Sequence, residues 1–303
     1  MATTLNVSGL TNYIEQKRDE LFVKATAGAK SLDYVEIMTD VKWKEALGFL
    51  DSEIVLADGS VCGFNPQGSD VFTERYIETK AVKIEKSWCY KDFEKKVQGL
   101  EIKWQAGRET LPAEQKLAES NMNAIQDAVE RLVWRGDSNI GLTGWLDLAT
   151  GETLSQKVTF ATGTTAIAKV DAVVAAIPTK ALAKGVNIFM SWTNFRAYVA
   201  EQNASCCANR PVIDSAVEDL KYIGDSRIRL VPVFGLELAS SAETDYIVAA
   251  TEDALVYGTD LESADNVYRL WFDEKDEKFN FRVLFKAGMA IKFPEEVVIA
   301  YEA

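Results

Sequence analysis

The chain has 303 residues, of which 48% are hydrophobic and 26% charged. That composition excludes a wholly disordered polypeptide, and the net charge of −13 argues against a protein that grips nucleic acid by neutralising phosphates. Histidine is absent, which removes Ser–His, Cys–His and His–metal chemistry together and leaves an enzyme only carboxylate, Lys, Tyr or Cys groups.

Residues 1–30 read as an arm. A short amphipathic piece, Leu10–Phe22, is followed by the small-residue stretch Ala25–Ala29. The segment has too few large apolar groups for a core of its own, so it lies on something else or stays mobile. It lacks the basic and apolar regions of a signal peptide. Nothing in the chain approaches the ~18 apolar residues of a membrane span, because the best stretch, Ala166–Ile177, is interrupted by Lys169 and Asp171. Synthesis and retention in a cytosol are expected, with Cys62, Cys89, Cys206 and Cys207 as reduced thiols, since no metal-binding or redox spacing joins them.

A mixed segment, 31–50, ends in the apolar Ala46–Leu50 and is followed by turn signals at Asp58-Gly59-Ser60 and Gly63–Gly68. The β-like run Val71–Trp88 is dense in charge. Residues 51–88 are therefore expected to form a two-stranded ribbon projecting from the body. An isolated hairpin is marginal in water, which suggests that another chain supplies its stabilising partner.

The clearest helix starts at Thr110 as N-cap with Pro112 in its first turn. It carries Leu117, Ile125, Ala128, Val129, Leu132 and Val133 at helical spacing and stops at Gly136 as a left-handed cap. Residues 137–151 read as a Gly-punctuated connector that matches neither phosphate-loop pattern. From 152 to 255 an α/β body is expected, with helices Thr165–Ile177 and Trp192–Gln202, the latter capped by Ser191. Its strands are Val186–Met190, Ile228–Phe234 and Tyr246–Ala250.

The sharpest pattern comes last. From Phe279 to Phe293 every odd position is apolar, which is the period of a strand. Its length is roughly 50 Å at about 3.3 Å per residue, with Val267–Phe272 as partner and Gly288 as a place to curve. Such a strand suits an extended structural element better than a compact enzyme core. Charge is uneven too. Residues 70–103 hold eight basic against seven acidic groups, whereas 237–277 hold twelve acids against Arg269 and Lys275. The mixed ribbon and the acidic segment are candidates to meet between neighbouring copies, as is Leu10–Phe22.

This order of parts resembles the major capsid proteins of tailed bacteriophages with the HK-97-type (Hong Kong 97) fold. Glu130-Arg131-Leu132-Val133-Trp134-Arg135-Gly136-Asp137 with Gly141-Leu142 is similar to the end of that family's spine helix and the turn after it. Asn187–Ser191 is similar to the strand entering the next helix, and Arg229–Val233 to a hydrophobic-Pro-Val strand. Phe281–Ile291, then Pro294 and Val297–Ile299, resembles the C-terminal strand.

The resemblance implies an α+β fold. Residues 1–30 would be the N-terminal arm and 51–88 the E-loop β ribbon. Residues 31–50, 89–139 and 256–303 would form a peripheral domain with the long spine helix and long β strands, and 140–255 an α/β axial domain. It implies a structural protein rather than an enzyme, with no catalytic, cofactor or metal residues. Hexamers and pentamers of the chain would tile an icosahedral shell enclosing viral double-stranded DNA without binding it tightly. The chain would be made in the host cytoplasm and end in the virion, with portal, scaffold and decoration proteins as partners and no membrane. The family's Lys–Asn cross-link finds no matching positions here.

Two other readings stand beside this one. The first is an encapsulin shell around an enzyme cargo. The second is a soluble carboxylate-dependent α/β enzyme, for which Asp273, Glu274, Asp276 and Glu277 would have to bind a hard cation. A charged hairpin turn explains those four residues more simply.

Overall fold

The computed structural model describes residues 29–52, 70–89, 113–204, 220–222, 225–240, 243–260, 268–273, 275–276 and 278–302. Leu10–Phe22, the helix cap at Thr110 and Pro112, the turn signals between 53 and 69, and Cys62, Cys206 and Cys207 lie outside the described residues. The architecture is mixed α+β. Two large sheets are held together by helices, with a separate ribbon and a minor hairpin.

The first sheet is organised by β14 (Lys278–Ile291). Along one edge it pairs antiparallel with β4 (Lys80–Cys89), from Lys278↔Cys89 to Ala287↔Lys80. Along the other edge lie β13 (Tyr268–Asp273), against residues 278–283, and β12 (Leu255–Thr259), against 287–291. A short parallel strand, β1 (Glu36–Met38), lies outside β12. The period-two pattern decides which face is covered. Phe281, Val283, Phe285, Ala287, Met289 and Ile291 are buried, while Leu284 on the opposite face stays open.

The cover is α1 (Ala113–Arg135), which contributes Met122, Ile125, Val129, Val133 and Trp134 to the same core. At 1.5 Å per residue the helix is about 35 Å long. It ends where expected: Gly136 has φ +69°, and a Cβ there would run into the Leu142 carbonyl, so the left-handed turn requires glycine.

Two sequence expectations change here. The ribbon is formed not within 51–88 but by β2 (Lys44–Ser52) and β3 (Asp70–Glu78), antiparallel from Lys44↔Glu78 to Ser52↔Asp70. The run 71–88 breaks at Thr79, and its second half becomes β4 in the sheet. The physical reason is an alternation masked by charge: Val82, Ile84 and Trp88 share the face that packs on the core, with Lys83, Glu85 and Ser87 between them. The second change concerns 137–151. It holds the hairpin β5–β6 (Gly136–Asp137, Leu142–Thr143) and then a helix, α2 (Trp145–Gly151). Trp145, Leu146 and Ala149 drive that helix into the core, a signal hidden by the surrounding glycines.

The second sheet runs β7-β15-β11-β8-β10-β9, with β7 at Gln156–Phe160, β8 at Val186–Met190, β9 at Leu220–Lys221, β10 at Ile228–Pro232, β11 at Tyr246–Ala250 and β15 at Val298–Glu302. Its central strands β8, β10 and β11 are buried along most of their length, which is why they read as largely apolar runs. Ile188, Met190, Leu230 and Ile247 point into a core with α3 (Ala166–Ala176) and α5 (Trp192–Ala204). Phe189, Val231, Val248 and Ile299 point into the core shared with α1 and β14. Both helix starts follow the sequence: Thr165 accepts a bond from Ala168 N at 3.3 Å, and Ser191 Oγ from Asn194 N at 3.2 Å. A short α4 (Thr179–Lys184) fills the space after Pro178. Because β15 joins this sheet while β12–β14 stay in the first, 256–303 is divided between the two rather than confined to one.

Candidate functional site

The ribbon presents two unlike faces because side chains alternate along a strand. Ile77 turns inward, fully buried with Val41, Leu47, Val256 and Ala290. Phe72, Glu74 and Tyr76 turn outward, with Phe72 63% and Tyr76 51% exposed. The register places Ala46 opposite Tyr76 and Gly48 opposite Glu74. The absence of a side chain at Gly48 leaves room for the Phe72 ring to lie over it. Tyr76 Oη donates to Glu74 at 2.8 Å, and Lys44 Nζ stands 4.5 Å over the Tyr76 ring while pairing with Glu78 at 3.0 Å. The result is an aromatic surface edged by both charge signs. Trp43, 78% exposed just before β2 at the ribbon's foot, adds a third large ring. Exposed Trp and Tyr side chains in such numbers are typical of surfaces that become buried against a partner.

A second constellation joins the segment after Ala29 to the spine-like helix α1. Ser31 Oγ donates to Glu130 Oε1 at 2.8 Å and accepts from Trp134 Nε1 at 2.7 Å, while Ser31 N points to the same carboxylate at 3.3 Å. Burial pushes the Glu130 carboxyl above its usual range. The Ser31 bonds and the Lys30 charge oppose this shift, and Asp127 adds to it. The folded chain therefore holds a proton on Glu130 at a pH where the unfolded chain has lost it. Stability falls as pH rises from the ordinary carboxyl range through the raised value, and is flat above. Glu130→Gln keeps an acceptor for Ser31 and removes the charge. It is expected to raise stability at pH 8 and to leave it unchanged at pH 4, as read from urea midpoints. Sequence reading missed this network. The available signal was a glutamate one turn before Trp134 and next to Val129 and Val133 of the helix's apolar face.

In the acidic segment 237–277 several of the described acids have partners within the chain itself. Glu243 is gripped by Arg131 at 2.7 Å and Arg135 at 3.4 Å, and it accepts from Ala239 N at 3.0 Å. That backbone bond, with the two arginines, holds its carboxyl below the usual range. Asp245 pairs with Lys169 at 3.1 Å, Asp253 with Lys184 at 3.1 Å, and Asp260 with Lys286. These acids tie the loops to α1, α3, α4 and β14 of their own chain. Asp273 accepts from Lys275 N at 3.0 Å in the turn between β13 and β14, which is ordinary turn chemistry. Glu274 and Glu277 lie outside the described residues, and among the described residues no cluster of acids, Cys or His is placed to hold a metal.

A polar cleft of about 660 Å³ opens between β1 and the ends of β8 and β10. Its main charges are matched locally: Lys184 to Glu296 at 2.7 Å, Arg227 to Asp225 at 2.7 Å, and Glu36 to Lys292 at 2.8 Å. Cys89 is free and exposed at the end of β4. No helix among the described residues is long and apolar enough to cross a membrane.

The arrangement of sheets, long helix and ribbon is similar to that of solved capsid structures. The procapsid of satellite phage P4 with its size determination (Sid) protein matches at a TM-score of 0.57, with 10% identity over 93% of this chain and 89% of that one. The capsid of an empty GTA particle matches at 0.55, with 12% identity over 92% and 90%. A virus-like particle from Pyrococcus furiosus matches at 0.53, with 10% identity over 95% and 99%. No protein-family model and no curated protein sequence matches the chain. At these identities the likeness shows the fold, and the fold is a capsid-protein fold.

Proposed function

We propose that this chain is the major capsid protein of a tailed bacteriophage, with the HK-97-type arrangement, and that its hexamers and pentamers close an icosahedral shell around double-stranded DNA. The observation that carries the reading is the ribbon. β2 and β3 leave the body with Phe72 and Tyr76 facing outward, and both rings stay more than half exposed. A second copy supplies the missing cover, and repetition of the contact around a closed ring multiplies a modest gain per subunit.

On this reading the ribbon is the E-loop, α1 and the first sheet form the peripheral domain, and the second sheet with α3–α5 forms most of the axial domain. Residues 1–30 act as the arm. The role is structural and not enzymatic. The net charge of −13 suits a container that holds DNA without gripping it. Portal, scaffold and decoration proteins are the remaining partners. Synthesis takes place in the host cytoplasm, and the virion is the destination.

A second reading has its own support. The likeness to the Pyrococcus furiosus virus-like particle covers almost all of both chains, and an encapsulin around a protein cargo uses the same shell logic. Negative-stain microscopy of the expressed chain with its genomic neighbours tests both. Closed particles containing nuclease-protected duplex DNA support the capsid, and particles containing a co-purified enzyme support the encapsulin. An absence of particles under every condition contradicts both.

A further inference from the structure

The ribbon is fastened to the body at two points of different chemistry. The inner point is a seat. Gly258 and Gly288 face each other across β12 and β14, and the chain at Ile77–Glu78–Thr79 crosses them. A Cβ on Gly258 would stand 2.7 Å from Ile77 Cδ1, and one on Gly288 would run into the Glu78 carbonyl and stand 3.0 Å from Thr79 Cγ2. Only a pair of glycines lets the crossing chain come so close. Thr79 fixes the crossing: its N–H donates to the Trp43 carbonyl at 2.9 Å and its Oγ1 to the Val41 carbonyl at 3.0 Å.

The outer point is ionic. Arg75 reaches Glu152 with both arms of its guanidinium, Nη1 to Oε1 at 2.5 Å and Nη2 to Oε2 at 3.3 Å, and Nη1 also approaches the Ile291 carbonyl at 3.4 Å. Glu152 is held in place because its own N–H closes α2 on the Leu148 carbonyl at 3.0 Å. Both side chains are about three-quarters covered, at 23% and 28% exposed, so solvent screens the pair less than a surface one. Beyond Arg75 toward the tip, no hydrogen bond or ion pair ties the described part of the ribbon to the body.

We propose that Arg75–Glu152 is a latch that holds the ribbon against α2 and the end of β14 in one direction, so that the face carrying Phe72 and Tyr76 is aimed before any partner arrives. The seat at Ile77–Thr79 holds the root whether or not the latch is closed. Opening the latch leaves a two-stranded hairpin held at its root by Thr79 and by the apolar contacts of Ile77 and Leu47, and the part beyond them is a marginal structure in water. This inference concerns the single chain and does not require the shell reading.

Amide hydrogen exchange on the full-length chain, kept below its assembly concentration, tests it. Glu152→Gln is expected to speed exchange of the β3 amides from Phe72 to Tyr76 by about fivefold or more, while the Thr79 amide stays as slow as in the parent. The charge swap Arg75→Glu with Glu152→Arg is expected to restore slow exchange. Parent-like β3 exchange in Glu152→Gln, a parallel acceleration at Thr79, or a swap no slower than the single variant overturns the proposal. Particle formation is measured separately, so failure of the latch and failure of the shell reading are distinct results.

Discussion

Replacing Trp134 by Ala is expected to cost about 3–5 kcal/mol, the range for deleting a large aromatic from a packed core, and to leave the chain largely insoluble. Trp134 is fully buried. Its ring meets Trp145 edge-on at 5.2 Å and Phe189 at 5.1 Å, so it joins α1, α2 and β8 at one point. A Cβ on Gly235 would collide with the ring, which shows how completely the space is filled. The truncation also removes the 2.7 Å bond to Ser31, loosening the network that holds the buried Glu130. With a total stability of about 5–15 kcal/mol for a typical protein, one such loss consumes a large share. Trp134→Phe fills most of the volume and loses mainly the bond, at about 1–2 kcal/mol. Urea midpoints for the two variants check the order; a Trp134→Ala midpoint equal to that of the parent contradicts the packing described.

The second large effect falls on assembly and spares folding. Changing Phe72 and Tyr76 together to Ser is expected to abolish particles while leaving the unfolding midpoint of the protomer within about 0.5 kcal/mol, as for exposed positions generally. The two rings are 63% and 51% exposed. Burying what remains open against a neighbour contributes about 4–7 kcal/mol per subunit, from ~25 cal/mol per Å² of apolar surface and aromatic areas of 150–250 Å². Spread over every contact of a closed shell, loss of that term outweighs what the remaining contacts supply. Particle counts by microscopy beside thermal melts of the same preparation give the answer. Normal particles from the double variant would show that the outward face is not an assembly contact.

The sequence was most readable where one period runs undisturbed. Phe281 to Ala287 alternates in and out just as its burial does, and Thr165, Ser191 and Gly136 mark helix ends by local chemistry alone. It was least readable where charge or glycine covers the pattern. β4 looked like the second half of a free ribbon because Lys83, Glu85 and Lys86 crowd around Val82 and Ile84. The helix α2 was hidden among glycines on either side of Trp145. The outward face of the ribbon was legible only in outline. A projecting ribbon follows from turn signals and polarity, but its strands, its glycine seat and its ionic fastening depend on contacts between Arg75 and Glu152 and between Gly258 and Ile77, distant in sequence and without a local signature. For the same reason the ion pairs of the acidic segment have no local signature: Glu243 meets Arg131 and Arg135 only once α1 lies beside its loop.

Sedimentation velocity of the purified chain over a wide concentration range asks most directly whether this polypeptide is completed by its own copies. Fast-sedimenting closed assemblies of many subunits, in equilibrium with smaller rings, are the expected result. One species of 33.6 kDa at every concentration and ionic strength would contradict it.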